Sequence, residues 1–223
     1  MNPVASALQR INLSLLDTGA RLVAVSKYQP DERVLLAYEA GQRIFGENRV
    51  PELLAKKARF PQDVEWHFIG HLQRNKVRAL LPAVHLIHSV DSDGLLQQID
   101  RESERIGVCT RVLLQVHIAR EEHKFGLAPD GVVPLLQRCA LGEFGNVRMC
   151  GLMGMASLCD DRRQIEGEFR LLAQLFTHAR QLLGVQLPDF RELSMGMSGD
   201  YLLALPLGAT LVRIGSGMFE ANI

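Results

Sequence analysis

An apolar run, Leu22 to Val25, lies in Arg21-Leu-Val-Ala-Val-Ser-Lys27, with Val23 and Val25 on one side and Leu22, Ala24 and Ser26 on the other. Tyr28-Gln29-Pro30-Asp31 then breaks the run, so the pattern predicts a buried strand with Lys27 at its C-terminal end. Comparable strand-like runs start near Arg43, Glu65, His85, Arg111, Val147, Glu192 and Thr210, which makes eight in all. An amphipathic helix over about 3–17 opens the chain, and helical patterns over 30–41, 48–59, 73–81, 92–106, 129–141, 161–183 and 198–206 separate the strands. Pro30, Pro129 and Asp161 stand near helix starts; Gly41, Gly107 and Gly184 stand near helix ends. Regular alternation of strand and helix means parallel βαβ units. Eight strands in a chain of this length predict a closed (β/α)8 TIM barrel with an extra N-terminal helix, one α/β domain spanning 1–223. A doubly wound open sheet is the alternative, disfavoured because no G-x-G-x-x-G follows the first strand.

Composition narrows the partners. With 25 basic and 25 acidic residues among 223, and 47% hydrophobic residues, the chain can bury one sizeable core. It carries no general field to attract nucleic acid or an anionic membrane. Any anion site must be local. Met1-Asn-Pro-Val-Ala-Ser lacks a basic segment followed by an apolar one, and no apolar run approaches the roughly 20 residues of a membrane span. A cytoplasmic protein is expected. Cys109, Cys139, Cys150 and Cys159 show no C-x-x-C spacing, so mostly buried, reduced thiols are expected rather than a disulfide or zinc framework.

In a barrel, chemistry collects in the loops that follow the strands. Lys27 there is either a strand-end lysine whose ammonium snorkels to water or an amine that loses its proton and attacks a carbonyl. In Phe45-Gly-Glu-Asn48, Asn48 can cap the next helix or reach a ligand with its amide. Glu65-Trp-His-Phe-Ile-Gly70-His71 offers His67 and His71 at the i, i+4 spacing of zinc ligands. That spacing shares a face only in a helix, and Gly70 interrupts it, so no metal is expected. Two late loops are more telling. Leu193-Ser194-Met-Gly196-Met-Ser198-Gly-Asp200 and Val212-Arg213-Ile-Gly215-Ser216-Gly217 follow the seventh and eighth strands, where barrels commonly bind phosphate among hydroxyls, glycines and helix-start N–H groups. A plain N-cap at Ser198 and a turn at 215–217 are the alternatives. A Schiff-base lysine and a phosphate cup facing each other across one mouth would together suit pyridoxal 5′-phosphate (PLP), which carries an aldehyde and a phosphate on one ring.

From about residue 8 to 219 the chain resembles the YggS/PROSC family of pyridoxal-phosphate homeostasis proteins. The matching stretches are Val23-Ala-Val-Ser-Lys27, Phe45-Gly-Glu-Asn48, Glu65-Trp-His-Phe-Ile-Gly70, Asn75-Lys76, Gly151-Leu-Met153, Leu193-Ser-Met-Gly-Met-Ser198-x-Asp200 and Val212-Arg-Ile-Gly215. The resemblance implies a single barrel akin to the N-terminal domain of alanine racemase, carrying PLP as a Schiff base on Lys27. It implies Arg213 facing the pyridine nitrogen, Asn48 beside the ring, and Ser194, Ser198, Gly215 and Ser216 holding the phosphate. Lys124 matches a family lysine suggested to help hand the cofactor on; a solvated loop lysine is the alternative. Ser216 stands where the family usually has threonine, and the end, Gly217-Met-Phe-Glu220-Ala-Asn-Ile223, departs from a usual Ile-Phe-Gly.

A guanidinium does not give up its proton, so Arg213 against the ring nitrogen would weaken the ring as an electron sink. Racemisation also needs an acid or base on each face of the substrate carbon, and Tyr28, Tyr38 and Tyr201 supply no evident second one. The expectation is a monomeric carrier that buffers PLP and passes it transiently to apo PLP-dependent enzymes, without robust catalysis. The alternatives are a small amino-acid racemase and a Schiff-base aldolase acting on a sugar phosphate.

Overall fold

The computed structural model describes residues 2–121 and 125–219. Lys124 and residues 220–223 lie outside them. Eight parallel strands close in sequence order: β1 (Arg21–Val25), β2 (Ile44–Glu47), β3 (Glu65–Phe68), β4 (Leu86–Val90), β5 (Thr110–Val116), β6 (Val147–Gly154), β7 (Glu192–Met197) and β8 (Leu211–Ile214). The helices between them are α2 (Asp31–Glu39), α3 (Val50–Arg59), α4 (Val77–Leu80), α5 (Asp93–Ile106), α6 (Pro129–Ala140), α7 (Arg162–Leu183) and α8 (Tyr201–Ala204); α1 (Pro3–Leu15) precedes the barrel and α9 (Ser216–Phe219) follows it. The barrel is the expected fold, and no described helix is long and apolar enough to cross a membrane.

Local chemistry sets the boundaries. Asn2 caps α1 by accepting from the Val4 N–H ahead of Pro3, and Asp161 caps α7 by accepting from Arg163 and Gln164. Gly107 ends α5 in the left-handed conformation at φ 68°. Gly184, by contrast, ends α7 at a right-handed φ of −63°, so its freedom is not used there. The helix expected over 73–81 is a 3₁₀ turn (Arg74–Lys76) running into α4, and that expected over 198–206 is α8 plus a 3₁₀ turn (Leu205–Leu207).

Side chains divide by strand parity into two cores. Leu22, Ala24, Phe45, Trp66, Phe68, Val212 and Ile214 face outward into one large cluster with the helices. Val23, Leu86, Leu113, Cys150, Met153 and Leu211 form a smaller one inside the barrel. Trp66 is fully buried between Phe45 and Phe60, with each ring centroid 5.7 Å away. Helix α1 adds Val4, Ala7, Leu8, Ile11 and Leu15 to the outer cluster, the i, i+4, i+7 stripe that made it legible as amphipathic. The thiols correct the expectation: Cys109 and Cys159 are exposed, and only Cys150 is buried. Charged and turn residues around Cys109 and Cys159 leave them outside both apolar faces.

Candidate functional site

The closure of the barrel decides which loops meet. Because β1 pairs with β8, with Val23 opposite Arg213 and Ala24 opposite Ile214, Lys27 stands beside the β8 loop on one arc of the rim. The expected arrangement across the mouth is therefore corrected to a contiguous arc over β7, β8, β1 and β2.

Lys27 itself lies beyond the strand. β1 ends at Val25, and the Ser26 N–H still reaches the Gly46 carbonyl at 3.0 Å. Lys27 is then exposed in a turn closed by Gln29 N–H donating to the Ser26 carbonyl at 3.1 Å. Tyr28 adopts a left-handed φ of 61°, an uncommon conformation for a residue with a side chain. That turn, unreadable from hydrophobic pattern, is why the lysine is not buried as the strand's continuation would have it.

What holds the turn is a buried polar knot behind it. The Lys56 ammonium on α3 donates to Glu47 Oε1 and to the Ser26 carbonyl, both at 2.6 Å, and the Ser26 hydroxyl donates to the same Glu47 oxygen at 2.7 Å. Glu47 is fully buried and Lys56 nearly so. All three polar groups of Ser26 are thus engaged one residue before Lys27. Neither Glu47 nor Lys56 stood out in the sequence, although Lys56 falls three residues after buried Leu53 on the apolar stripe of α3, where a lysine is out of place.

Asn48 follows β2, half-buried. Its Nδ2 approaches the Tyr28 hydroxyl at 3.5 Å while its Oδ1 is buried with no partner among the described residues. It does not cap α3, whose N-cap position is Arg49. Gly70 packs on it so closely that a Cβ there would sit 2.2 Å from the Asn48 carbonyl oxygen; the loop after β3 needs glycine to seat the loop after β2.

The late loops converge. Ser198 Oγ accepts from the N–H groups of Gly215 at 3.3 Å and Gly217 at 3.5 Å. Ser216, exposed, opens α9 beside them. Gly215 lies against β1, where a Cβ would come within 3.1 Å of the Val25 carbonyl oxygen. The expected role of Ser194 is corrected. It points into the barrel interior, fully buried, and its hydroxyl accepts from Arg213 Nη1 at 2.5 Å and meets His88 Nδ1 at 3.0 Å, so it anchors the arginine.

Arg213 is buried, and its Nη2 donates to the Gly154 carbonyl at 3.0 Å. Burial pushes its pKa down to about 10, against the charge of Asp200, so it remains cationic at neutral pH. Beneath it His88 Nε2 meets His67 Nδ1 at 2.9 Å. Burial holds both imidazoles well below the ordinary histidine range, helped for His67 by His85, Arg21 and Arg111 and for His88 by His67 and Arg213. The sequence offered one signal for them, a histidine inside each of two otherwise buried strands.

His67 and His71 are not brought together: His71 stacks on Phe125 and meets Asp91 Oδ2 at 3.1 Å. The described residues do gather Glu65, His67 and His85, whose ligand atoms lie within 4.8 Å of one another. Arg111 donates to His85 Nε2 at 3.0 Å there, taking the lone pair a cation would need.

A closed barrel with a rim lysine beside a buried arginine and a serine–glycine loop defines a class of protein, and the comparisons agree on which. Residues 5–222 match the family model for the N-terminal domain of alanine racemase. The pyridoxal phosphate homeostasis protein of Aquifex aeolicus is 38% identical over 201 residues, covering 90% of this chain and 86% of that one. The human protein of the same name is 39% identical over 210 residues, covering 89% and 75%. PipY of Synechococcus elongatus, solved with PLP bound, superposes with a TM-score of 0.87 at 36% identity over 97% of this chain and 99% of its own. The chain belongs to the pyridoxal phosphate homeostasis protein family. An alanine racemase from Streptomyces coelicolor, at 24% identity and a TM-score of 0.75, shares the fold.

Two outcomes follow from the buried groups. Lys56→Met leaves the Glu47 carboxylate buried without its cation and should destabilise the protein by about 3–5 kcal/mol in urea denaturation; Lys56→Met with Glu47→Leu should recover most of that, and equal losses for both would contradict the pairing. The second concerns pH. The folded pKa values of His67 and His88 lie below the unfolded value, so below about 6.5 the unfolded chain binds more protons and stability falls as pH drops. Unfolding free energy measured from pH 7 to 5 should decline, and the decline should be shallower in His67→Gln with His88→Gln; an unchanged slope in that variant would assign the loss to other groups.

Proposed function

We propose that this chain binds PLP through a covalent bond to Lys27 and serves intracellular PLP homeostasis, holding the cofactor and passing it to apo-enzymes, as a cytoplasmic monomer without robust turnover. The observation that carries this reading is the charged, buried guanidinium of Arg213 one strand from Lys27. Two of its five N–H donors are taken by Ser194 and Gly154, which leaves donors for the ring nitrogen of a pyridine. The unpartnered Oδ1 of Asn48 fits a ligand hydroxyl at the adjacent rim. The Ser198 hydroxyl and the N–H groups of Gly215 to Gly217, with Ser216, fit a phosphate.

When bound, the cofactor supplies an aldehyde that an amine can capture and a ring able to take up electrons. Each residue favours holding over turnover. Arg213 keeps its proton and offers the ring nitrogen only a donor, which leaves that nitrogen unprotonated and the ring a poor electron sink. Lys27 sits exposed in its turn, open to exchange with an incoming amine or a recipient protein. Of the tyrosines, Tyr38 is tied to Asp63 and Tyr201 to Ser14; Tyr28, in the turn that carries Lys27, has its hydroxyl 3.5 Å from Asn48 Nδ2, and it is the group a racemase reading would use as the second acid or base.

Borohydride reduction of the PLP-loaded protein should fix the cofactor on Lys27, and Lys27→Ala should lose both that mass and the visible absorbance while staying folded. The loaded parent should form no D-alanine from L-alanine over hours. An adduct retained in Lys27→Ala would refute the attachment site, and steady D-alanine production abolished by Tyr28→Phe would replace the carrier by a racemase. Ser198→Ala with Ser216→Ala removes two donors to a charged phosphate, each worth about 1.5–3 kcal/mol, so affinity for PLP should fall at least about tenfold. Pyridoxal, which lacks the phosphate, should bind parent and variant alike; an equal loss for both compounds would rule out the phosphate role.

A further inference from the structure

The hydrogen bonds below Arg213 can be given a direction. An arginine only donates, so Ser194 Oγ accepts from Arg213 Nη1 at 2.5 Å. The one proton of the Ser194 hydroxyl then goes to its remaining contact, His88 Nδ1 at 3.0 Å, which must accept. A neutral His88 with a bare Nδ1 carries its proton on Nε2 and donates it to His67 Nδ1 at 2.9 Å. His67 in turn carries its proton on Nε2, the atom that points toward Glu65 Oε2 at 3.9 Å. Either direction leaves one end proton without a hydrogen bond among the described residues, and the two ends differ. In the assigned direction it is the His67 Nε2–H, which faces the Glu65 carboxylate at 3.9 Å. Reversed, it is the Ser194 hydroxyl, at a site with no exposed surface and no further acceptor among its contacts. Four side chains from β8, β7, β4 and β3 thus form a single one-way chain through the barrel interior, each at most 4% exposed.

We propose that His88, backed by His67, is a positioning residue for the cofactor ring: by taking the Ser194 proton it keeps Ser194 an acceptor and pins the Arg213 guanidinium where its remaining donors meet the ring nitrogen. This rests on the placement of Arg213 against that nitrogen proposed above. Without an acceptor at position 88 the hydroxyl proton is stranded, and the hydroxyl turns to find a partner at the expense of its geometry toward Arg213. The anchoring of Arg213 is then left to the Gly154 carbonyl. Neutral imidazoles suit the task, since a cationic His88 would offer Ser194 a donor and set a like charge beside the guanidinium.

The test compares PLP with 1-deazapyridoxal 5′-phosphate, whose ring has C–H in place of nitrogen and so offers Arg213 no acceptor. Apo-protein is titrated with each by absorbance, in the parent, His88→Leu and His88→Asn, the last keeping an acceptor on a short side chain. His88→Leu should weaken PLP about tenfold, the orientation of one charged hydrogen bond, and change the analogue less than about twofold. His88→Asn should restore the preference for PLP. Equal weakening of both ligands would make His88 merely structural and overturn the proposal, as would no weakening of either. A parent that binds the two ligands equally would refute the contact of Arg213 with the ring nitrogen and this proposal with it, while a Lys27 adduct in that same parent would leave the attachment site standing. If His88→Leu does not fold, His67→Leu decides in its place: it removes the acceptor of His88 Nε2–H and should lower the affinity for PLP selectively, by a smaller factor, with an unselective or absent effect counting against the chain.

Discussion

The pairing of β1 with β8 is the contact on which everything at the rim depends. Its register, Arg21 opposite Leu211 through Ala24 opposite Ile214, joins the first and last strands of the sheet and turns an open, edge-bearing sheet into a closed one. It also makes neighbours of Lys27 and the Arg213 to Ser216 segment, which lie near opposite ends of the chain. No local element contains the site. It exists only when the sheet has closed, so a ligand that bridges Lys27 and the β8 loop binds the folded state and stabilises the closure itself.

Two buried polar systems flank that seam, one on each face of the sheet. Outside it, Ser26, Glu47 and Lys56 fix the backbone one residue ahead of Lys27; inside it, Arg213, Ser194, His88 and His67 run down the barrel. Such groups cost desolvation and are poor sources of stability. Their directional bonds are what two apolar clusters cannot supply: a fixed position for one amine and one guanidinium. The apolar clusters provide the driving force for the fold, and the polar systems decide where two functional groups stand within it.

How much of this the sequence disclosed varies with what each feature depends on. Alternation of strand and helix made the barrel legible because parity and helical period are local properties, and they placed Lys27, Ser198 and Gly215 after strands; Arg213, expected after the last strand, lies within β8 and faces the interior. Ser194 was expected to act with Ser198, four residues on in the same motif, but the strand runs to Met197 and turns the Ser194 side chain inward. The exposed turn at Lys27 hinges on one dihedral angle at Tyr28, which no periodicity encodes. The pairing of Lys56 with Glu47 needs the seat of α3 against β2, and the histidine chain needs strands three, four, seven and eight arranged around one interior. Both are products of closure, out of reach of any window along the chain.

The electrostatics of the interior set what this part of the barrel can hold. Arg213 is buried among neutral partners, a hydroxyl and a carbonyl, with Asp200 as the carboxylate that supports its charge. A cation so placed gains when an acceptor arrives, so part of its desolvation is offset by ligand binding. An arginine only donates, so the groups this one can still take are acceptors. A rim lysine open to water one strand from a buried, charged donor pairs an amine that solvent can reach with a cation that gains from an arriving acceptor.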